Sequence, residues 1–446
     1  MASPRHAAAL ERLRSRTPKS AAMRPRAERL LALEAVPTFA MPVPLYIDSG
    51  DGAWMADVDG NGYIDLAMGF GSLILGHRPP EVVAAMRAQI EKGWHLILPG
   101  EAQHELAELL VEAAPCADKV VFQNSGTEAT MCGMRVARAY TGKSRIGVFG
   151  GGYHGTHDYA LVQEDPKSPP ACPAPKTTGG GIPDVVRDET MLVLPYRDPA
   201  AFDLIRKHKD ELAAVMIQPV QNTTPHLDNG GYLRDLRAVC DESGVLLMFD
   251  EVVTGFRLAY GGGQVFYGVT PDLATFGKII GGGAAVGALC GRADIMDLFA
   301  KSGARGVFAG GTFNGNPLTM AAGAATLRTL KARKDELYPR LTRIGDKLAS
   351  IVTTHCERND MAVTLMNAAS IHCFHFKKGP IESYRDVYPS NRAAEEAFYA
   401  LVLDRGVLLP SFHVYFLSAA HDDAMIEKVA AAFVESLDDC RADGLL

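Results

Sequence analysis

Three places in this chain combine residue types and spacing that could do chemistry. Lys278 ends the run Asp272-Leu-Ala-Thr-Phe-Gly-Lys278 and precedes Ile-Ile-Gly-Gly-Gly. A lysine in such a place can lose its proton and attack an aldehyde. The glycines would let a bulky planar group come close. Asp250 closes Val245-Leu-Leu-Met-Phe-Asp250, and a carboxylate at the end of a buried strand points into the crevice beyond it. Asn124-Ser-Gly-Thr-Glu128 lies between the apolar run Val120–Phe122 and a helical pattern. Ser125, Gly126 and Thr127 would there present N–H groups and hydroxyls to an anion. Each feature also has a plainer reading: a surface lysine in a loop, an aspartate capping the next loop, an N-cap serving only its helix.

Taken together, the three point to one cofactor. An aldehyde for Lys278, a ring nitrogen for Asp250 and a phosphate for Ser125–Thr127 are the groups of pyridoxal 5'-phosphate (PLP). With Asp250 keeping the pyridine nitrogen protonated, the ring accepts electrons from a substrate carbanion.

The elements that must position these residues follow from the pattern of apolar runs. Between about 104 and 290, helical segments such as His104–Ala114 alternate with short apolar runs at Val120–Phe122, Ile146–Phe149, Leu192–Leu194, Ala214–Ile217, Val245–Phe249 and Ala288–Cys290. Strands separated by helices imply an α/β fold, a mostly parallel sheet with helices on both faces. Ligands in such sheets bind beyond the carboxyl ends of the strands, which is where the three features fall. Upstream, Leu45–Asp48, Ala53–Asp57 and Tyr63–Leu66 read as short strands, the last two joined by a turn at Asp59-Gly-Asn-Gly62. Pro317–Leu330 and Leu337–Ser350 read as two helices, and Ala369–Phe376 as a strand. Three regions are expected: an N-terminal segment over 1–79 belonging to a small domain, a large cofactor-binding domain over 80–335, and an α+β domain over 336–446. Residues 165–190 are Pro/Gly-rich and read as a long loop, with Pro166–Gly181 acting as a lid.

Composition narrows the class. The chain has 446 residues, 47% hydrophobic and 22% charged, the profile of a soluble globular protein. A net charge of -7 favours neither nucleic acid nor an anionic membrane as partner, and no apolar run approaches a membrane span. The eight cysteines are scattered without a C-x-x-C, which suits a reducing cytoplasm. His372, Cys373 and His375 alternate faces of one strand, so no metal site is expected. The arginine-rich first 30 residues have the charge of a transit peptide but read better as solvated helices over Ala7–Arg16 and Ala22–Leu33.

The stretch DEVVTGFRLAYGGGQVFYGVTPDLATFGKIIGGGAAVGALCGR over 250–292 closely resembles class III PLP aminotransferases of the glutamate-1-semialdehyde aminomutase subgroup. So do NSGTEATMCGMRVARAYTG at 124–142, GGYHGTHD at 151–158 and GGTFNGNPLTMAAG at 310–323. The resemblance implies PLP fold type I and a homodimer with shared active sites. It makes Lys278 the Schiff-base lysine, Asp250 the pyridine partner, and Ser125, Gly126 and Thr127 the phosphate site. It places Tyr153 over the ring with His154 beside it, and gives Thr312 to the phosphate of the neighbouring subunit's cofactor.

The same resemblance shows four departures. Gln218 of Gln218-Pro-Val replaces a glutamate. The stretch Pro37–Leu45 holds no cation where the aminomutase binds the substrate carboxylate with an arginine. Phe70 replaces a tryptophan, and His413 replaces a glutamate. The cofactor stretches are kept and the substrate stretches are changed. The expected activity is therefore aminotransfer from an amine, β-amino acid or unusual amino acid to a keto acid or aldehyde. Intramolecular transfer, as in an aminomutase, and racemisation, decarboxylation or elimination on the same fold are the alternatives.

Overall fold

The computed structural model describes residues 2–34, 41–301, 303, 306–411 and 414–446. The chain divides into two compact units. One comprises 1–79, 339–381 and 386–446, the other 80–338 and 382–385.

The second unit is built on a seven-stranded sheet. Its strands are β1 (Lys119–Gln123), β2 (Arg145–Phe149), β3 (Met191–Leu194), β4 (Leu212–Ile217), β5 (Leu246–Asp250), β6 (Leu273–Gly277) and β7 (Gly287–Gly291). They lie in the order β1-β7-β6-β5-β4-β2-β3. Only β7 runs antiparallel to its neighbours β6 and β1; the other pairs are parallel. β4, β5 and β6 are buried along their whole length, which is why they read as unbroken apolar runs rather than alternating ones. The helix Gly126–Thr141 packs close against this sheet. A Cβ at Gly133 would meet Met248 Cε at 2.3 Å and Leu289 Cδ1 at 3.2 Å, so the helix lies close over side chains of β5 and β7. Gly142, with φ of 72°, ends that helix in the left-handed region.

The first unit holds a four-stranded sheet ordered Ile47–Asp51, Trp54–Asp57, Gly62–Asp65 and Val407–Leu408, and a three-stranded sheet of Thr364–Ala368, Ile371–His375 and Tyr415–Phe416. The basic N-terminal residues lie on two helices, Pro4–Arg16 and Pro18–Leu30, tied to acidic partners. Arg12 reaches Asp404 at 2.6 Å, Arg5 reaches Asp443 at 2.7 Å, and the Ser20 hydroxyl donates to Asp59 at 2.8 Å.

Two expectations are corrected. Pro317–Arg358 is one helix with Pro339 inside it, not two helices. Leu337, Leu341, Ile344 and Leu348 are all buried, so the apolar stripe runs on through the proline at helical spacing. The Pro/Gly-rich segment after 165 is not a structureless loop either. Val162–Glu164 pairs antiparallel with Pro175–Thr177. Arg385 ties this hairpin down, pairing with Glu164 and donating to the carbonyls of Pro166 and Ser168.

Candidate active site

Except for Thr312, the residues singled out from the sequence in the second unit lie at or just after carboxyl ends of strands. Asn124–Thr127 follow β1, Gly150–His154 follow β2, Gln218 follows β4, Asp250 closes β5 and Lys278 follows β6. Ser125 is the N-cap of the helix Gly126–Thr141, its hydroxyl accepting from Glu128 N at 3.1 Å. The first helical i to i−4 bond runs from Ala129 N to Ser125 O. The N–H groups of Gly126 and Thr127 therefore belong to the first turn, where the helix has no carbonyl to offer them. Glu128 turns back to accept from Asn124 N at 2.7 Å. The N-cap and anion-site readings are thus compatible: the Ser125 side chain caps the helix while the N–H groups of the turn face outward.

Asp250 and Glu251 are adjacent carboxylates with different surroundings, because consecutive residues of a strand point to opposite faces. Glu251 is fully buried and accepts from Gly263 N at 2.7 Å, Gln264 N at 2.9 Å and Thr254 Oγ1 at 2.6 Å. Burial raises its pKa against those hydrogen bonds. It is a structural tie. Asp250 Oδ2 instead lies 2.6 Å from His154 Nδ1, and Oδ1 accepts from Val252 N at 3.0 Å. His154 Nε2 is buried with no hydrogen-bond partner.

Lys278 opens a short 3-10 turn with φ of 50°, a left-handed conformation that costs a non-glycine residue about 1–3 kcal/mol. Burial, then the charge of Arg257, lower its ammonium to about 8, against an opposing pull from Asp250. About a tenth of this lysine is therefore an uncharged nucleophile at pH 7, far more than of an ordinary lysine. Arg257 is buried and itself lowered to about 9 by burial.

Two of the glycines after Lys278 have close neighbours within the chain. A Cβ at Gly281 would meet Val286 Cγ1 at 2.6 Å, and one at Gly282 would meet Thr326 Oγ1 at 2.5 Å. They let the chain pack against itself and so hold the lysine turn in place.

Tyr153 is 55% exposed, which leaves its ring face open, and its N–H donates to Gln218 Oε1 at 3.2 Å. Burial, then the charge of Asp250, raise its phenol pKa. Thr312 sits exposed in a turn before the helix Pro317–Arg358. Phe70 belongs to the other unit, in a left-handed turn where Met68, Gly69, Phe70 and Gly71 all have positive φ. His413 and the stretch 35–40 lie outside the described residues. Sequence reasoning missed Thr130, whose hydroxyl contacts the His154 carbonyl, and His157, whose Nε2 contacts that hydroxyl. The only signal was their place within the stretches 124–142 and 151–158.

The residues fit PLP. A nucleophilic lysine, a strand-end carboxylate, an outward-facing helix N-terminus and the buried, unpartnered His154 nitrogen converge on one end of the sheet. This sheet order, with its antiparallel β7, and this site define a PLP enzyme of fold type I. The chain belongs to the class III aminotransferase family, Aminotransferase class-III, which matches residues 36–436.

The glutamate-1-semialdehyde 2,1-aminomutase of Methanothermobacter thermautotrophicus is 40% identical over 401 residues, 89% of this chain and 93% of that protein. An omega-transaminase from Sphaerobacter thermophilus superposes with a TM-score of 0.88 at 35% identity, covering 95% of this chain and 98% of that one. A β-phenylalanine aminotransferase from Variovorax paradoxus gives 0.86 at 30% identity, covering 98% of each chain. The protein is a PLP-dependent enzyme of this family.

Proposed function

We propose that the protein is a transaminase that takes the amino group of an amine, a β-amino acid or an unusual amino acid and passes it to a keto acid or aldehyde. The observation that carries this reading is the stretch Pro37–Leu45, which holds no cation where the aminomutase subgroup binds a substrate carboxylate through arginine. An arginine–carboxylate pair in a desolvated pocket is worth several kcal/mol when one partner is deleted. Phe70 in place of a tryptophan and His413 in place of a glutamate support the same reading. So does similarity to an omega-transaminase and a β-phenylalanine aminotransferase.

Bound PLP supplies an aldehyde and an electron-withdrawing ring. In this reading Lys278 Nζ holds the cofactor at rest. Once an amine has taken its place, Nζ would be free to carry the proton from the substrate carbon bearing nitrogen to the cofactor's aldehyde carbon, on the other side of that nitrogen. Asp250 keeps the ring nitrogen protonated, with His154 donating to its other oxygen. Ser125, Gly126 and Thr127 take the phosphate, and Tyr153 covers one ring face. Gln218, neutral where the subgroup has a glutamate, holds the Tyr153 backbone and adds no charge.

The partner is a second copy of the chain. Thr312 is exposed in the single chain, and Trp94, Ile97, Leu98, Phe308 and Phe313 are exposed in the same unit. His95 and Phe313 lie 5.1 Å apart and join the two segments. Apolar exposure of this kind marks an interface. Sedimentation should find a dimer, and Thr312→Ala should weaken PLP retention by about 1.5–3 kcal/mol. A fully active monomer would contradict both. The cytoplasm is the proposed compartment: all eight cysteines are free thiols, and no described helix is long and apolar enough to cross a membrane.

A second reading, the aminomutase, is favoured by the 40% identity to a glutamate-1-semialdehyde 2,1-aminomutase. One experiment separates them. The amine-loaded enzyme is given glutamate-1-semialdehyde without any keto acid, and 5-aminolevulinate is measured. The transaminase reading expects little product there and amine-dependent amination of pyruvate or 2-oxoglutarate. Efficient catalytic conversion would sink it.

A further inference from the structure

The backbone carbonyl of His154 is held by Thr130, which in turn meets His157, and neither belongs to the set proposed to touch the cofactor. The Thr130 hydroxyl lies 2.6 Å from the His154 carbonyl oxygen, 2.9 Å from the Thr127 carbonyl oxygen and 3.2 Å from His157 Nε2. A hydroxyl has one proton to donate, and carbonyl oxygens only accept. If that proton went to His157 Nε2, both carbonyls would face hydroxyl lone pairs at hydrogen-bond distance. The proton therefore goes to a carbonyl, of which His154's is the nearer. His157 Nε2 then carries a hydrogen and donates into the hydroxyl. The His157 ring is thereby fixed in one tautomer, its bare Nδ1 buried without a hydrogen-bond partner. A neutral ring agrees with this: burial, then the charge of His154, lower His157 to about 4.

Thr130 sits one turn beyond the proposed phosphate site on the same helix, Gly126–Thr141. Gly155 closes the gap between helix and loop, since a Cβ there would meet Thr127 Oγ1 at 2.6 Å and Thr127 Cα at 2.8 Å. The loop 154–157 is thus bound to the helix that presents the phosphate site, and the His154 side chain is bound to Asp250. The other charged and titratable groups facing His157 are Asp158, Tyr159 and Arg138, whose guanidinium lies 4.3 Å from the Tyr159 ring centre.

We propose that Thr130 and His157 are positioning residues: through the Thr130 hydroxyl they fix the His154 carbonyl, and with it the angle at which the His154 ring meets Asp250, so that they set the proton affinity at the cofactor's ring nitrogen. This rests on the assignment of Asp250 to that nitrogen in the proposed function. The consequence is a link between the phosphate end and the ring-nitrogen end of the site through a single hydroxyl.

The test compares Thr130→Val, which keeps shape and removes the hydroxyl, with Thr130→Ser, which keeps the hydroxyl. In Thr130→Val the pH midpoint of the bound cofactor's absorbance should move. kcat should fall about threefold to tenfold, the size of one buried neutral hydrogen bond, with the donor KM little changed. Thr130→Ser should restore both. Nitrogen-15 histidine spectra of the cofactor-free protein should show His157 protonated at Nε2 alone. A wild-type midpoint and kcat in Thr130→Val, a Thr130→Ser variant that behaves like Thr130→Val, or a His157 protonated at Nδ1 would each overturn the proposal. Asp250→Asn serves as the control. If it moves the midpoint while Thr130→Val does not, only the role of Thr130 and His157 is lost. If it leaves the midpoint unmoved, the assignment of Asp250 falls, and this inference with it.

Discussion

His154 Nδ1 donates to Asp250 Oδ2 across 2.6 Å, with both side chains sealed from solvent. A carboxylate accepts and cannot donate, so the hydrogen on Nδ1 is fixed by its partner. The pair links the loop after β2 to the end of β5, two strands separated in the sheet by β4.

Removing the acceptor should therefore cost stability even without cofactor. Asp250→Ala leaves the buried Nδ1–H of His154 and the N–H of Val252 without their shared partner. An orphaned buried donor costs about 1–3 kcal/mol. Asp250→Asn keeps an oxygen for one of the two donors and should lose less. Denaturant unfolding of the cofactor-free proteins measures the difference. Equal stability of the two variants would mean that the His154 contact contributes nothing.

The lysine carries a second consequence. Its folded pKa of about 8 lies below the ordinary 10.5. In that interval the unfolded chain binds more protons than the folded one, so stability rises with pH through the window. Below about pH 8 the folded state carries the full penalty of an ill-placed ammonium. Lys278→Met, which removes the charge, should stabilise the cofactor-free protein at neutral pH, and the gain should shrink as pH rises towards 10.5. Acylation of Lys278 in the cofactor-free wild type should titrate near 8. A gain that is flat with pH, or acylation with the midpoint of a surface lysine, would show that the amine is not perturbed.

How far the sequence carried depended on whether a signal was local. β4 and β5 were legible because a strand covered on both faces is a solid apolar run. The pairing of Asp250 with His154 spans 96 residues, and spacing along the chain holds no trace of it. The triple glycine after Lys278 was read as room for a planar group; the packing of Gly281 against Val286 and of Gly282 against Thr326 was not legible, because tertiary structure brings those neighbours in. The two helices expected over Pro317–Leu330 and Leu337–Ser350 merge because the charged stretch between them stays helical and the buried stripe of Leu337, Leu341 and Ile344 carries the helix on past Pro339. Thr130 and His157 were passed over for another reason: a threonine inside a helix and a second histidine within a motif have ordinary uses, and only the geometry around one hydroxyl distinguishes them.

Arg385 is the anchor of the hairpin Val162–Thr177. Glu164 is buried beneath it, and burial raises the Glu164 pKa even with the guanidinium opposing. Arg385→Ala leaves that carboxylate buried without its cation, and breaking a buried pair costs about 3–5 kcal/mol. Proteolysis within 166–181 should accelerate. Because a carboxyl raised in the folded state loses stability as pH rises past its unfolded value, the acceleration should be greater at neutral than at mildly acidic pH. Cleavage at the wild-type rate would show that the hairpin is held by its own strand pairing alone.

The last prediction concerns the contact between the phosphate site and the carboxylate. A Cβ placed on Gly126 would lie 2.8 Å from Val252 Cγ1 and 2.9 Å from Cγ2, so Gly126→Ala must push either the first turn of its helix or Val252. Both moves damage the proposed site. Shifting the turn spoils the N–H groups offered to the phosphate. Shifting Val252 disturbs the N–H that holds Asp250 Oδ1 at 3.0 Å. Overpacking of this kind costs about 1–3 kcal/mol, which is roughly a tenfold or greater loss of cofactor retention if the strain falls on the bound state. Val252→Ala removes both methyls that the new Cβ would strike. The double variant should therefore retain PLP better than Gly126→Ala alone, although each single substitution weakens it. Dialysis of the loaded proteins, followed by assay of the remaining cofactor, gives the three values. If the double variant loses PLP as fast as Gly126→Ala, the glycine is needed for a reason other than Val252, and the close contact between these two residues does not set the geometry of the phosphate site.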